Sequence, residues 1–122
     1  GHGDEAVERA QRAIELSPLD PHMYVFLAVA GTAHAAAGQY REAIELARRS
    51  LRRNRMYLAT HRLLVIALAL AGRVEDARQA AAELLALEPQ LTVARFRRRY
   101  PGNASAHVEG FCSALAAAGV PA

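Results

Sequence analysis

The chain repeats itself. Ala37-Gly38-Gln39-Tyr40-Arg41-Glu42-Ala43 aligns with Ala71-Gly72-Arg73-Val74-Glu75-Asp76-Ala77, so that Gly38 and Gly72, and Ala43 and Ala77, stand 34 positions apart. Upstream, Leu27-Ala28-Val29-Ala30 precedes Gly38 much as His61-Arg62-Leu63-Leu64 precedes Gly72. A third copy begins in mid-unit: Asp4-Glu5-Ala6 through Leu16-Ser17-Pro18 parallels Glu75-Asp76-Ala77 through Leu87-Glu88-Pro89. A unit of this length is one supersecondary element, too small to bury its own apolar side, and it becomes stable only by stacking on its neighbours.

The residues within a unit say what that element is. Leu63, Leu64, Ala67, Leu68 and Ala71 recur at helical spacing and define a buried stripe. Gly38 and Gly72 follow such stripes, where a helix must stop and reverse through a left-handed residue. Ala43 and Ala77 fall where the second helix crosses the first, and a methyl group lets the two axes approach closely. Pro18 and Pro89 close second helices, and Asp20 and Pro21 open the next one. In the half unit Ala6, Ala13 and Pro18 hold these places; Arg55 stands where the second unit needs proline, leaving Asn54 to end that helix. Helices are expected near 4–16, 21–37, 40–53, 57–71, 74–87, 91–99 and 104–118, an all-α fold.

The tail has its own pattern. Val108, Phe111, Cys112 and Leu115 follow i, i+3, i+4, i+7 and make one apolar stripe. Ser105 is positioned as its N-cap, and Gly119 with Pro121 as its close. A stack of helical units leaves an apolar edge at its end, and this helix is expected to cap it.

A 34-residue helix–turn–helix period with Val65, Gly72, Ala77, Leu84 and Pro89 in one unit, and Ala28 or Gly31, Gly38, Tyr40, Ala43 and Ser50 in another, resembles the tetratricopeptide repeat. The resemblance covers about residues 4–91: a half repeat at 4–18 and full repeats at about 21–57 and 58–91. It implies a superhelix of antiparallel hairpins, with residues 92–122 as capping helices and 1–3 as a tag remnant or linker. It also implies a concave groove lined by first helices, here Val25, Ala28, Thr32 and Ala35 with Ala59, Arg62, Ile66 and Ala69. Members that grip acidic peptide tails place Lys, Asn and Arg in this groove; only Arg62 is present here. An apolar, narrow groove suits an amphipathic helix better, unless the chain's own tail fills it.

Leu16-Ser17-Pro18-Leu19-Asp20-Pro21, Ala37–Ala43, His61–Leu64 and the ending from Phe111 through Ala114–Ala118 to Gly119-Val120-Pro121 together resemble a narrower group. They look like the C-terminal repeat region of bacterial class III adenylate cyclases, or the similar tail of winged-helix transcription regulators. That resemblance implies a cytoplasmic or membrane-tethered signalling protein whose regulatory or scaffolding end, itself cytoplasmic, is this chain. The partner would be a protein or peptide, or a second copy forming a homodimer. For a homodimer the lone second helix 4–16 supplies an apolar side, Ala6, Ala10, Ala13 and Ile14, that its usual first helix does not cover.

Composition removes other classes. All fifteen basic residues are arginine, which rules out a lysine-bearing phosphate loop. The clusters Arg48, Arg49, Arg52, Arg53, Arg55 and Arg95, Arg97, Arg98, Arg99 have the composition of a nucleic-acid footprint. Arginine is also a strong helix former, and a solvated helix face is the preferred reading. The single Cys112 forms no internal disulfide and sits in the apolar stripe, where cysteine acts as a small hydrophobe. No two of His2, His22, His34, His61 and His107 have the i, i+4 spacing of a helical zinc pair, so no metal is expected. Glu42 and Glu45, and Glu75 and Asp76, open second helices, where acids complement the helix dipole. No catalytic constellation and no cofactor site emerges. Val65–Ala71 is far shorter than the roughly 18 apolar residues of a membrane span, and the charged start at Asp4-Glu5 is unlike a signal peptide.

Overall fold

Among the described residues of the computed structural model, 2–16, 19–100 and 106–122, every regular element is an α-helix. In chain order these are α1 (His2–Leu16), α2 (Met23–Ala36), α3 (Tyr40–Arg53), α4 (Leu58–Leu70), α5 (Val74–Leu87), α6 (Val93–Arg97) and α7 (Ala106–Ala117). The expected order and type are met. At the edges α1 starts at His2, so the expected linker 1–3 is largely helical, and α6 is a single turn instead of a helix over 91–99. Pro18, Ser105 and the side chain of Ala13, three of the positions read above, lie outside the described residues.

Connections of three or four residues join α2 to α3, α3 to α4 and α4 to α5, which leaves each helix no choice but to reverse and lie on its predecessor. α1 packs on α2, while α7 returns from the far end to pack on α4 and α6. The composition of the helices sets their layers. α2 and α4 carry almost no charge, Arg62 being the one charged residue in the pair, and a helix apolar all round belongs inside. In α4 the run Leu63–Leu68 is buried without interruption. α3 and α5 alternate apolar and charged positions and show one face to solvent. The main core joins α4 with residues from α2, α3, α5 and the tail, whereas Ala10 and Ile14 of α1 close a smaller cluster with Met23, Leu27, Ala30 and Leu46.

The two turns 34 residues apart are built alike. Gly38 and Gly72 both take φ +81°. At the first, the Gly38 N–H bonds Ala35 O at 3.1 Å and the Gln39 N–H bonds His34 O at 2.8 Å. At the second, Gly72 bonds Ala69 O at 3.0 Å and Arg73 bonds Leu68 O at 2.9 Å. This paired bonding satisfies the orphan carbonyls of a helix end, and its left-handed residue favours glycine. Beyond each turn Ala43 and Ala77 have no exposed surface. Asn54 ends α3 as expected, in an extended conformation, with its side chain accepting the Met56 N–H at 3.0 Å.

A buried polar tie fastens three helices. Ser50 Oγ donates to Tyr24 O at 2.8 Å, so its other contact, with Thr60 Oγ1 at 2.8 Å, has Thr60 as donor. Both hydroxyl residues are fully buried. Ser50→Ala removes the hydroxyl to which Thr60 donates, and leaving a buried polar atom unpaired costs about 1–3 kcal/mol. A urea titration should show the midpoint falling at unchanged slope; an unchanged midpoint would mean the tie contributes nothing.

Candidate functional site

The face formed by α2 and α4 is where a groove is expected, and α7 covers its α4 side. α7 lies across α4, with Val108, Phe111, Cys112 and Leu115 all buried, so the expected apolar stripe is turned inward. Phe111 lines both hollows left beside these helices, one with Thr32 and Ile66 and the other with Ala35 and Leu70. One hollow, about 90 Å³, lies among Thr32, Ala59, Arg62 and Ile66 on one side and Phe96, Tyr100 and Phe111 on the other, while the neighbouring one is about 300 Å³. The first has room for water molecules and none for a helix.

The eight expected groove residues therefore divide. Thr32, Ala59, Arg62 and Ile66 come together at the small hollow, and Ala35 lines the neighbouring one; Val25, Ala28 and Ala69 line neither. Ala28, Ala35 and Ile66 are buried. Of the two occupants expected for this groove, an incoming amphipathic helix or the chain's own tail, the packing of α7 on α4 favours the tail on the α4 side. The physical reason is connectivity. A helix tethered to the same chain needs no second molecule to cover an apolar face, and it avoids the translational cost of association.

Arg62, the single residue of the acidic-tail clamp that the sequence retains, is engaged within the chain. Its Nη1 donates to Glu88 Oε1 at 2.9 Å, and Arg99 Nη2 approaches Glu88 Oε2 at 3.6 Å. Glu88 thus ties α4, the end of α5 and the segment after α6. Nothing local in the sequence pairs Arg62 with a carboxylate 26 residues away, so this tie was not legible; Phe96 and Tyr100, one helical turn apart with rings at 5.4 Å, were a local signal left unused.

Much of the second arginine cluster is spent in the same way. Arg97 makes two hydrogen bonds to Glu109 of α7, at 3.0 and 3.2 Å, Arg99 faces Glu88, and Arg95 reaches Gln90 at 3.5 Å. Its backbone helps too: Thr92 caps α6 by accepting the Arg95 N–H at 3.1 Å, and the Val93 N–H bonds Pro121 O at 2.8 Å. These contacts join α6 to α7 and the residues after it.

The other candidate side chains hold structural positions. His34 Nδ1 donates to Gln39 Oε1 at 2.6 Å across the α2–α3 turn, and His61 Nε2 donates to Arg55 O at 2.7 Å. Burial pushes the Cys112 thiol above its ordinary pKa, against the weaker pull of the Arg97 guanidinium. A thiol so placed is a poor nucleophile. Arg73 pairs with Asp76 at 2.7 Å and Arg78 with Glu75 at 3.1 Å on the exposed start of α5. Among the described residues no cluster of three or more His, Cys, Asp or Glu is placed to hold a metal ion, and no helix is long and apolar enough to cross a membrane.

No family model and no curated protein matches the chain.

Proposed function

We propose that the chain is a non-catalytic helical-repeat module of the tetratricopeptide kind that binds protein segments. The observation that carries this reading is the like treatment of residues 34 apart. Gly38 and Gly72 share one backbone conformation and one bonding pattern, and Ala43 and Ala77 are equally buried at the helix crossings. Such stacking units make extended surfaces suited to other chains. The buried Cys112, the bonded His34 and His61 and the paired Arg62 leave these groups to the fold, in keeping with a binding role instead of a chemical one. A place at the regulatory end of an adenylate cyclase-like signalling protein rests on the sequence resemblance of Leu16–Pro21 and Phe111–Pro121 alone.

Panning a random peptide library on the folded chain tests the reading. Enrichment of a peptide consensus whose synthetic version binds in solution supports it. Failure to enrich any consensus, with circular dichroism showing an intact helical protein, removes it.

A further inference from the structure

We infer that the binding surface is the outer trough between α3 and α5, and that its ligand is an acidic peptide segment with an apolar anchor. The inference rests on the interaction-module reading and names its surface and partner chemistry.

Positions 41, 44, 45, 48 and 52 fall on one side of α3, which lines up Arg41, Arg48 and Arg52 along a single stripe, and Arg55, in the turn after it, borders the same cavity as Arg52. Two adjoining cavities flank this stripe, the first facing the α4–α5 turn and the second facing the end of α5. The first, about 580 Å³, lies between the Arg41–Arg52 part of the stripe and Ala71 and Arg73. The second, about 790 Å³, lies between Arg52, Arg55 and Met56 on one side and Glu83, Ala86 and Leu87 on the other. Arg52 lines both, so they form one trough. Along α3 from position 41 to position 53 it runs about 18 Å at the helical rise of about 1.5 Å per residue, and the turn with Arg55 and Met56 extends it.

Charge decides what it takes. Among the described residues Arg41, Arg48, Arg52 and Arg55 make no ion pair, in contrast to Arg62, Arg73, Arg78, Arg97 and Arg99, which do. Glu45 and Glu83 are the acids in the lining. Arg48 and Arg52 are one turn apart, a like-charge arrangement that destabilises a helix and that an anionic ligand would relieve. The end near Met56 is different. Met56 is 66% exposed, and Leu51, Ala86 and Leu87 surround the same cavity. A nucleic-acid strand has no use for that apolar end, and the lining offers no Phe, Tyr or Trp on which bases would stack. A peptide with carboxylates along its length and a leucine-like side chain at one end matches both halves.

The test uses the whole chain and a fluorescein-labelled peptide of glutamates with leucines at helical spacing, about 14 residues long to match the trough. A single-stranded oligothymidylate of similar span serves as the competing probe. Fluorescence anisotropy should show peptide binding that weakens with salt. The double substitution Arg48→Glu/Arg52→Glu should weaken it by about tenfold or more, and Met56→Glu by several-fold; Arg95→Glu/Arg98→Glu should leave it within about twofold. These side chains are exposed, and circular dichroism checks that each variant keeps its helices. Peptide binding that ignores the trough substitutions overturns the inference but leaves the interaction module standing, as does a library consensus that binds when the acidic peptide does not. Tighter binding of the oligothymidylate, unaffected by Met56→Glu, overturns it in favour of a phosphate-binding surface.

Discussion

Leu115→Ala is expected to lower the unfolding free energy by about 2–5 kcal/mol, the range for truncating a fully buried leucine that leaves a cavity. Leu115 has no exposed surface and lies in the main core, on the inward stripe of α7. Domains of this size have only about 5–15 kcal/mol in total, so the variant should melt well below the parent. The effect is also expected to be uneven. α7 joins the rest through α4 and α6, so weakening its stripe lowers the cost of lifting it without unfolding α2–α5. Hydrogen exchange should then accelerate most at amides of α7 and of the α6 turn, whose Val93 N–H depends on Pro121. Uniform acceleration across all helices would show that the tail is one cooperative unit with the hairpins. Protection lost nowhere, with stability reduced by less than about 1 kcal/mol, would mean the stripe does not pack as described.

The same helix marks the boundary of what the sequence made legible. The repeat offset placed Gly38, Gly72, Ala43 and Ala77 correctly because each answers a local demand: a left-handed turn, or a crossing with no room for more than a methyl. The stripe Val108, Phe111, Cys112, Leu115 was equally local, and its inward face was readable. Where that face lands was not. Spacing says that a helix has an apolar side; it does not say whether α7 covers the end of the stack or folds back over α2 and α4. That is decided by the packing of α7 on α4 and by the ties Arg62–Glu88 and Arg97–Glu109, all between residues at least a dozen positions apart. The arginine clusters show the same limit. As composition they are alike, yet Arg97 and Arg99 are consumed in holding the tail, while Arg48 and Arg52 remain on an open trough.

Gly31→Leu is the second substitution with a large expected effect, because it strikes where three helices meet. Gly31 is buried in the middle of α2, where a glycine costs helix stability by roughly 0.5–1 kcal/mol relative to alanine, so some other demand keeps it there. The demand is space. A Cβ at this position would stand 2.7 Å from Leu63 Cδ2, 3.4 Å from Ala43 O and 3.5 Å from Leu46 Cβ. The first of these is a side-chain tip and can yield; the second is backbone of α3 at the alanine crossing and cannot. Gly31→Ala therefore asks only that Leu63 turn aside. Overpacking of about 1–3 kcal/mol is partly offset by the better helix former, which leaves a small net loss. Gly31→Leu adds three more carbons with no cavity to receive them, and must push α2 away from α3 and α4. Its cost is expected at or above the top of the range of about 1–3 kcal/mol for overpacked cores. Urea unfolding of the two variants beside the parent checks the order. A combined Gly31→Ala/Leu63→Ala chain should be more stable than the sum of its single losses predicts, since each change makes room for the other. Strict additivity, or a leucine variant as stable as the alanine one, would place Gly31 away from the crossing and undo the close approach on which the hairpin stack depends.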